Sequence, residues 1–587
     1  MQTINQGFTL TMDNARSVTE LCIHLDGLPL AIELAAARTS LLSPQMLLER
    51  LQQRLSLLRW DAPDLPERQH SLAPAIGWSY DLLSDQEQEL FRRLGVFVGG
   101  FDLETAQGMV DEMGERAMDV LECVGSLVDK SLIQVMGQGD EHVRYTLLET
   151  IREYAWEQLE AQGEVDTTAA AHARYFLNLA EQADPQLHTS DQRTWYVRLE
   201  REHNNLSVAL RWLLDRQDET ALRLAAALGD FWIYRGYHTE GRQWLEEALG
   251  STGDADAAVR TRALLAVGLL LAYAGDLDGS RVVLEEALAL AQQCQDRSGI
   301  ALALTRLGAR AVLAREWPEG TRPLQEALRQ WEELGDQFEI GVTLFYQGSA
   351  AFAQGEYERA ASLYSDALAR YEAIGNERAS GSAGVYLGLA LLQLGDLARA
   401  AQLVQEGIQM SRTIEDRWHL SVGVNAALSL IGERAEQEEQ ARLLGAGDAL
   451  RQITGTSRSA WERVPGQSTA HFREHVEQER WEAAYRQGRS LSFDDTATLT
   501  LGMLEDFTQT LAHPQTQEEP RLNESPLSNR ELEVLTQVAE GLSSKAIGKQ
   551  LFISTSTVNY HLTSIFNKLG VDTRAQAVAV AAQRGFL

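Results

Sequence analysis

The stretch best equipped for chemistry lies near the C-terminal end of the sequence. Ser556, Asn559, Tyr560, Thr563 and Asn567 recur at i, i+3, i+4, i+7 and i+11, one face of a helix. That face carries amides and hydroxyls and no acid. Base edges in a DNA major groove present donors and acceptors that such groups match. The opposite stripe, Val558, Leu562, Ile565, Phe566 and Leu569, is apolar and belongs against a core. Ser554 occupies an N-cap position, and Gly570 a position where a helix must stop.

The neighbouring residues predict the elements that hold this helix. Ser528 and Glu531 form a capping-box pattern for a first helix, packed through Leu532, Leu535 and Val538 and ended by Gly541. Ser543 or Ser544 caps a second helix from Lys545 to Leu551, with Ile547 and Leu551 inward. A tight turn, Phe552-Ile553, leads into the polar-faced helix. Thr573 and Gln576 form a further capping box for a fourth helix rich in Ala and Val. Two helices joined by a short turn, the second with a polar face, is helix-turn-helix geometry.

Leu527-Ser-Asn-Arg-Glu-Leu-Glu-Val-Leu535, Gly541-Leu-Ser-Ser-Lys-Ala-Ile547, Ile553-Ser554, Thr557-Val558, His561-Leu562 and Lys568-Leu-Gly-Val571 closely resemble the LuxR-type DNA-binding domain of bacterial transcription regulators. The resemblance spans residues 525–587. It implies that the Thr557-to-Thr563 face reads bases, with Thr555 and Ser556 opening the same helix. It implies that Ser544, Lys545 and Lys568 hold phosphates and that the fourth helix makes a dimer contact. The family commonly has lysine where this chain has Asn559, and often a basic residue where it has Thr563. Fewer cations predict weaker affinity and a flatter salt dependence.

The chain has 587 residues, too many for one core, and a net charge of −32. That charge argues against general affinity for nucleic acid. Residues 525–587, however, hold six Lys and Arg against four Asp and Glu, a net +2 that leaves −34 for the rest. An acidic body repels DNA, so the reader must project from it. Cys22, Cys123 and Cys294 are too far apart in sequence for metal or disulfide spacing and read as small core residues of a reducing cytoplasm. No uninterrupted apolar run is long enough to cross a bilayer, and no signal peptide is evident. No nucleophile with a partnered base stands out, so neither an enzyme activity nor a cofactor is expected.

Residues 1–16 are polar and nondescript. Ser17 to Ala37 reads as helix broken at Asp26-Gly-Leu-Pro29. Gly27-Leu-Pro-Leu-Ala-Ile-Glu-Leu-Ala-Ala-Ala-Arg38 resembles the Gly-x-Pro segment of STAND-class signalling ATPases, where the proline lies near the adenine; the same residues also read as a turn and helix start. No Gly-x-x-x-x-Gly-Lys-Ser/Thr loop occurs in this sequence, so ATP binding in that family's manner is not expected of it alone. Arg68-Gln-His-Ser-Leu72, Trp78 to Leu83 and Phe91 to Phe101 resemble the winged-helix part of the same regulators. Strands Leu132–Met136 and Val143–Leu147 around a turn at Gly137–Asp140 predict the wing. The resemblance implies a regulatory clamp. Leu148 stands where many relatives have a diphosphate-sensing histidine.

Farther along, Trp195, Leu199, His203 and Leu206 form a helical stripe, and His203 reads as a packed or solvated histidine. A repeat follows. Gly229, Gly268, Gly308, Gly348 and Gly388 are evenly spaced, about 40 residues apart. Each is followed, at one fixed distance, by a small residue: Ala248, Ala287, Ala327, Ala367 or Gly407. One helical turn before each of these stands a bulkier residue, Leu245, Leu284, Leu324, Tyr364 or Val404. Gly236, Gly275, Arg315, Gly355 and Gly395 fall between the paired helices, often before an acid suited to cap the next one. The pattern resembles tetratricopeptide repeats with long connections. Five units and a weaker sixth near Ala427 to Ile453 predict a superhelix with a concave groove. Tyr273, Phe345, Tyr346 and Tyr386 are candidates for that groove, although aromatics at such spacing more often build core.

The predicted fold class is mainly α: a winged-helix remnant of a STAND module, a tetratricopeptide-like α-superhelix and a C-terminal four-helix LuxR-type domain. Segments are expected at 1–60 (helical, STAND-like), 61–163 (winged helix), 164–455 (repeats), 456–512 (capping helices), 513–526 (a Pro-containing linker) and 527–587 (DNA-binding domain). The expected function is a cytoplasmic bacterial transcription regulator. Its partners would be double-stranded DNA, a second copy of itself, RNA polymerase, and a peptide, protein or small effector at the repeat groove. The alternatives are an ATP-dependent switch completed by another segment or chain, and a repeat scaffold with a vestigial helix-turn-helix.

Overall fold

The computed structural model describes residues 12–24, 43–51, 72–114, 118–136, 143–251, 256–431, 436–454, 478–512, 527, 529–551, 555–571, 573–583 and 586. The Gly27–Arg38 segment, Arg68–Ser71, the Gly137–Asp140 turn, the 513–526 linker, Ser528, Phe552-Ile553 and Ser554 lie outside them. The chain forms two compact units, Met1–Glu505 and Asp506–Leu587.

The first unit opens with helix Met12–His24, which starts ahead of the expected Ser17 and buries Leu21 completely. Helices Leu72–Asp81, Asp85–Leu94, Leu103–Glu112 and Val120–Asp129 then surround a core containing Phe91, Phe97 and Phe101. Ser84 and Glu87 form a full capping box on the second of these. The wing is an antiparallel pair, β1 (Gln134–Met136) and β2 (Arg144–Thr146), with Val135 opposite Tyr145. Both strands are shorter than expected. Leu132 and Ile133 donate their N–H groups to the Leu127 carbonyl, so they finish the preceding helix instead of extending β1. Phe101 exchanges both backbone hydrogen bonds with Tyr145, at 2.9 and 2.7 Å, and so pins the wing to the body.

The predicted stripe at 195–206 is divided between helices Gln192–Arg201 and His203–Asp215. Among the described residues, six helix pairs follow, from Gly229–Arg235 with His238–Ser251 to Arg417–Ile431 with Gln437–Thr454. The repeated glycines have a steric cause. A Cβ at Gly268 or Gly308 would lie 2.4 Å from Leu284 or Leu324, the bulky residue of the paired helix. A Cβ at Gly348 would meet Tyr364 at 2.9 Å, and at Gly388 it would meet Val404 at 3.0 Å. Gly229 differs: it faces Ala266 of the next pair. The inter-helix position is left-handed throughout, including Arg315 at φ 62°.

The capping expectation needs correction. Asp276 and Asp396 do accept from their helix N-termini, but Glu316 and Glu356 make no side-chain cap. A glutamate's extra methylene carries the carboxylate past the first-turn amides that an aspartate meets. A second capping series, Asp296, Asp336 and Asn376, closes the first helix of successive pairs. The superhelix returns on itself: Arg235 Nη1 donates to the Ile414 carbonyl at 2.7 Å. Helices Gln478–Arg489 and Phe493–Ala512 follow the array.

Of the cysteines only Cys123 is buried; Cys22 is half-buried, and Cys294, just past a helix end, is exposed. The core reading therefore fails for Cys294. Among the described residues one helix, Ala257–Ala274, is long and apolar enough to cross a membrane, and 61% of it is buried inside the protein.

The second unit contains, among the described residues, the end of helix Phe493–Ala512 from Asp506 onward and helices Asn529–Ala539, Ser544–Gln550, Thr555–Leu569 and Arg574–Gln583. Its core gathers Val534, Leu535, Ile547, Val558, Leu562 and Ile565. Gly541 and Gly570, at φ 82° and 69°, stop the first and third helices. Val571 N–H then bonds the Phe566 carbonyl at 3.0 Å.

Candidate nucleic-acid interface

Helix Thr555–Leu569 is fixed from behind by two kinds of contact. Val558, Leu562, Ile565 and Leu569 are buried. Beside them lies a buried carboxylate, Glu531 of the first helix. Ser564 donates to its Oε1 at 2.7 Å, and Lys568 Nζ donates to its Oε2 at 2.8 Å. A buried carboxylate with charge-assisted partners on a facing helix sets register as well as separation. Lys568, predicted as a phosphate ligand, is thus placed on Glu531.

The front of the helix is acid-free, and Thr555, Asn559 and Thr563 are exposed there. Thr563 donates back to the Asn559 carbonyl at 3.1 Å. Asn559 itself is held from the second helix. Ser544 Oγ donates to its Oδ1 at 2.7 Å, and Arg574 Nη2 donates to Ser544 Oγ. The relay has a direction. A serine hydroxyl that accepts from a guanidinium spends its single proton on the next acceptor, which fixes Oδ1 toward Ser544. The Asn559 amide therefore keeps both N–H donors and one lone pair for an outside partner.

Ser543, not Ser544, caps the second helix, accepting from Ala546 N. That frees Ser544 for the relay. Lys545 and Lys549 are exposed on the same helix, and neither is ion-paired among the described residues. Ser556, Thr557 and Tyr560 lie within the third helix, but their side chains are outside the described residues, as is that of Asn567. Arg574 and Lys549 were not singled out from sequence. Lys549 carried a signal, one helical turn after Lys545 on the same face. Arg574 carried none beyond its place after a cap, because its partner lies in a different helix.

Elsewhere, His203 Nε2 meets Glu240 at 2.9 Å. Among the described residues no group of His, Cys, Asp and Glu could hold a metal ion. Tyr273, Phe345 and Tyr346 line a cavity on the inner side of the superhelix. Tyr386 packs on Phe345 and Tyr364, at ring-centroid distances of 4.8 and 5.7 Å.

Residues 525–581 match the family of bacterial regulatory proteins of the luxR type, and residues 83–160 match a winged helix-turn-helix domain. The chain therefore ends in a LuxR-type helix-turn-helix domain and carries a winged helix ahead of its repeats. A putative HTH-type transcriptional regulator of Mycobacterium tuberculosis (strain ATCC 25618 / H37Rv) is 37% identical over 314 residues, 52% of this chain and 35% of that protein. Transcriptional regulatory protein YdfI of Bacillus subtilis (strain 168) is 49% identical over 65 residues, 11% of this chain and 30% of that protein. The chain thus spans about a third of the length of these relatives. A STAND protein with a tetratricopeptide repeat sensor from Pyrococcus horikoshii aligns over 80% of this chain and 74% of its own, at 15% identity and TM-score 0.35, too slight a likeness to define the fold.

Proposed function

We propose that the protein is a sequence-specific DNA-binding transcription regulator whose repeat array receives an effector. One observation carries this reading: an acid-free helix face with Asn559 held in a fixed orientation by Arg574 and Ser544, beside two lysines without ion pairs among the described residues. In this reading Asn559, Tyr560 and Thr563, with Thr555, Ser556 and Thr557 at the helix start, face base edges in the major groove. Lys545 and Lys549 contact phosphate. Ser544 orients Asn559, and Lys568 secures the helix through Glu531, which gives both a positioning role.

The winged helix acts as a clamp between segments of the first unit. The protein works in the cytoplasm, binds two half-sites as a dimer through the fourth helix, engages RNA polymerase and has no catalytic role of its own. The segment boundaries proposed from sequence stand as proposals, with the linker at 513–526 separating reader from sensor.

Gel shift of the full chain on genomic fragments tests the reading. Selective retention of particular fragments is expected, with the selection lost in Asn559→Ala and Tyr560→Ala. Equal retention of all fragments at low salt would overturn it.

A further inference from the structure

At the centre of the superhelix, two buried guanidinium groups lie near acids, but among the described residues neither is hydrogen-bonded to a carboxylate. Arg306 and Arg378 are 5% and 6% exposed. Both line a cavity of about 50 Å³ together with Tyr234, Tyr273, Tyr346 and Trp418. The Arg378 guanidinium lies over Tyr234, 3.6 Å from the ring centroid, and its Nε has no hydrogen-bond partner. Among the described residues, the acid that comes within ion-pair range of Arg306 is Asp230, at 3.7 Å, beyond hydrogen-bond reach. Asp230 is already engaged by His188 at 2.8 Å. Asp416, the acid whose field reaches Arg378, is likewise engaged by His419 at 2.6 Å. Burial pushes the Glu339 carboxyl up to about 7, so below that pH it is uncharged and does not neutralise Arg306.

A guanidinium offers five N–H donors in a planar fork shaped for an oxyanion. Leaving a buried donor unmatched costs about 1–3 kcal/mol, more when it is charged. Here two forks line one cavity while Asp230 and Asp416 direct their short hydrogen bonds to His188 and His419. Tyr273 and Tyr346 add a hydroxyl pair at 3.1 Å on the wall. One of those protons bonds the other oxygen, which leaves one proton for a guest.

We propose that this cavity binds the anionic head of a small ligand, a carboxylate or phosphate group held between Arg306 and Arg378. A water needs roughly 10–15 Å³ on this scale, so the space suits a head group of a few heavy atoms and not a whole aromatic ring. The guest would bridge helix Arg297–Ala314 to helix Glu377–Leu394, two repeats apart, and tie the array together. The inference rests on the repeat array acting as a sensor. Its test uses no DNA, so it fails or stands separately from the DNA-reading proposal.

The test is isothermal titration of the full chain with sodium phosphate and with sodium acetate, at constant ionic strength in chloride, with Trp418 fluorescence as a second signal. Saturable binding with Kd below about 10 mM is expected for at least one probe; the tighter probe names the head group. Arg378→Lys keeps the charge but loses the fork, and should weaken binding at least tenfold. Ser382→Leu, at a half-buried lining position, keeps both guanidinium groups and fills the space, and should abolish binding even if Arg378→Lys does not fold. No saturable binding of either probe up to about 10 mM, or binding undiminished in Ser382→Leu, would overturn the proposal.

Discussion

The winged helix at 83–160 and the C-terminal domain at 525–587 are both helix-turn-helix modules, yet they use their cations differently. In the first, every described lysine and arginine is ion-paired: Arg92 with Glu164, Arg93 with Glu89, Lys130 with Glu87, Arg144 with Glu202 and Arg152 with Glu149. Seventeen acids stand against six Lys and Arg in this segment. The wing residue Arg144 also donates to the Gly100 and Arg201 carbonyls, at 3.0 and 2.9 Å, so it faces the protein. In the second, Lys545 and Lys549 face outward and the polar-faced helix holds no acid. In the proposed reading, the winged helix is a joint whose described cations are consumed internally, and the C-terminal domain is a reader that pairs Arg530 and Lys568 with acids but keeps Lys545 and Lys549 without ion pairs among the described residues. Fold alone does not assign the role.

The largest expected effect of breaking this contrast falls on the joint. Arg144→Ala leaves Glu202, 2% exposed, as an unpaired buried charge and should destabilise the first unit by about 3 kcal/mol. Urea unfolding followed by Trp fluorescence checks this, and DNA affinity of the folded variant should not change. On the reader side, Asn559→Ala should cost about 1–3 kcal/mol of discrimination between the preferred duplex and a single-base variant, read by fluorescence anisotropy. Lys545→Ala and Lys549→Ala should weaken all duplexes alike, each lowering the slope of log K against log salt by about 0.9. The smallest effect concerns the array. Burial raises Glu339, opposed by Arg306 and His188 and assisted by Asp230 and Asp336. A carboxyl raised in the folded state makes stability fall as pH climbs from about 4.5 toward 7. Glu339→Gln should flatten that part of the pH profile in thermal melts relative to the parent.

Much of the architecture was legible because it repeats or because it is local. The evenly spaced glycine series announced helix pairs, and the structure supplies its cause, a bulky side chain of the paired helix resting where a Cβ would be. The core stripe of the reader helix was equally plain from its period. What could not be read was long-range pairing of polar groups. Arg574 to Ser544, Lys568 to Glu531 and Arg144 to Glu202 join different elements far apart in sequence, and no spacing rule encodes them. Lys568 and Ser544, implied as phosphate ligands by the family resemblance, also bond Glu531 and Asn559, contacts that the sequence pattern does not reveal. The wing is shorter than its sequence pattern predicts because Leu132 and the β-branched Ile133 are claimed by the preceding helix end, a competition that propensity does not rank.

The most direct measurement is selection of bound sequences from a random duplex library by the full chain, by Asn559→Ala and by Leu121→Ser, the last on the most exposed apolar residue of the described winged-helix segment. The account predicts one recovered motif for the parent and for Leu121→Ser, with degenerate or altered positions for Asn559→Ala. An unchanged motif in Asn559→Ala, or a motif lost only in Leu121→Ser, would contradict it.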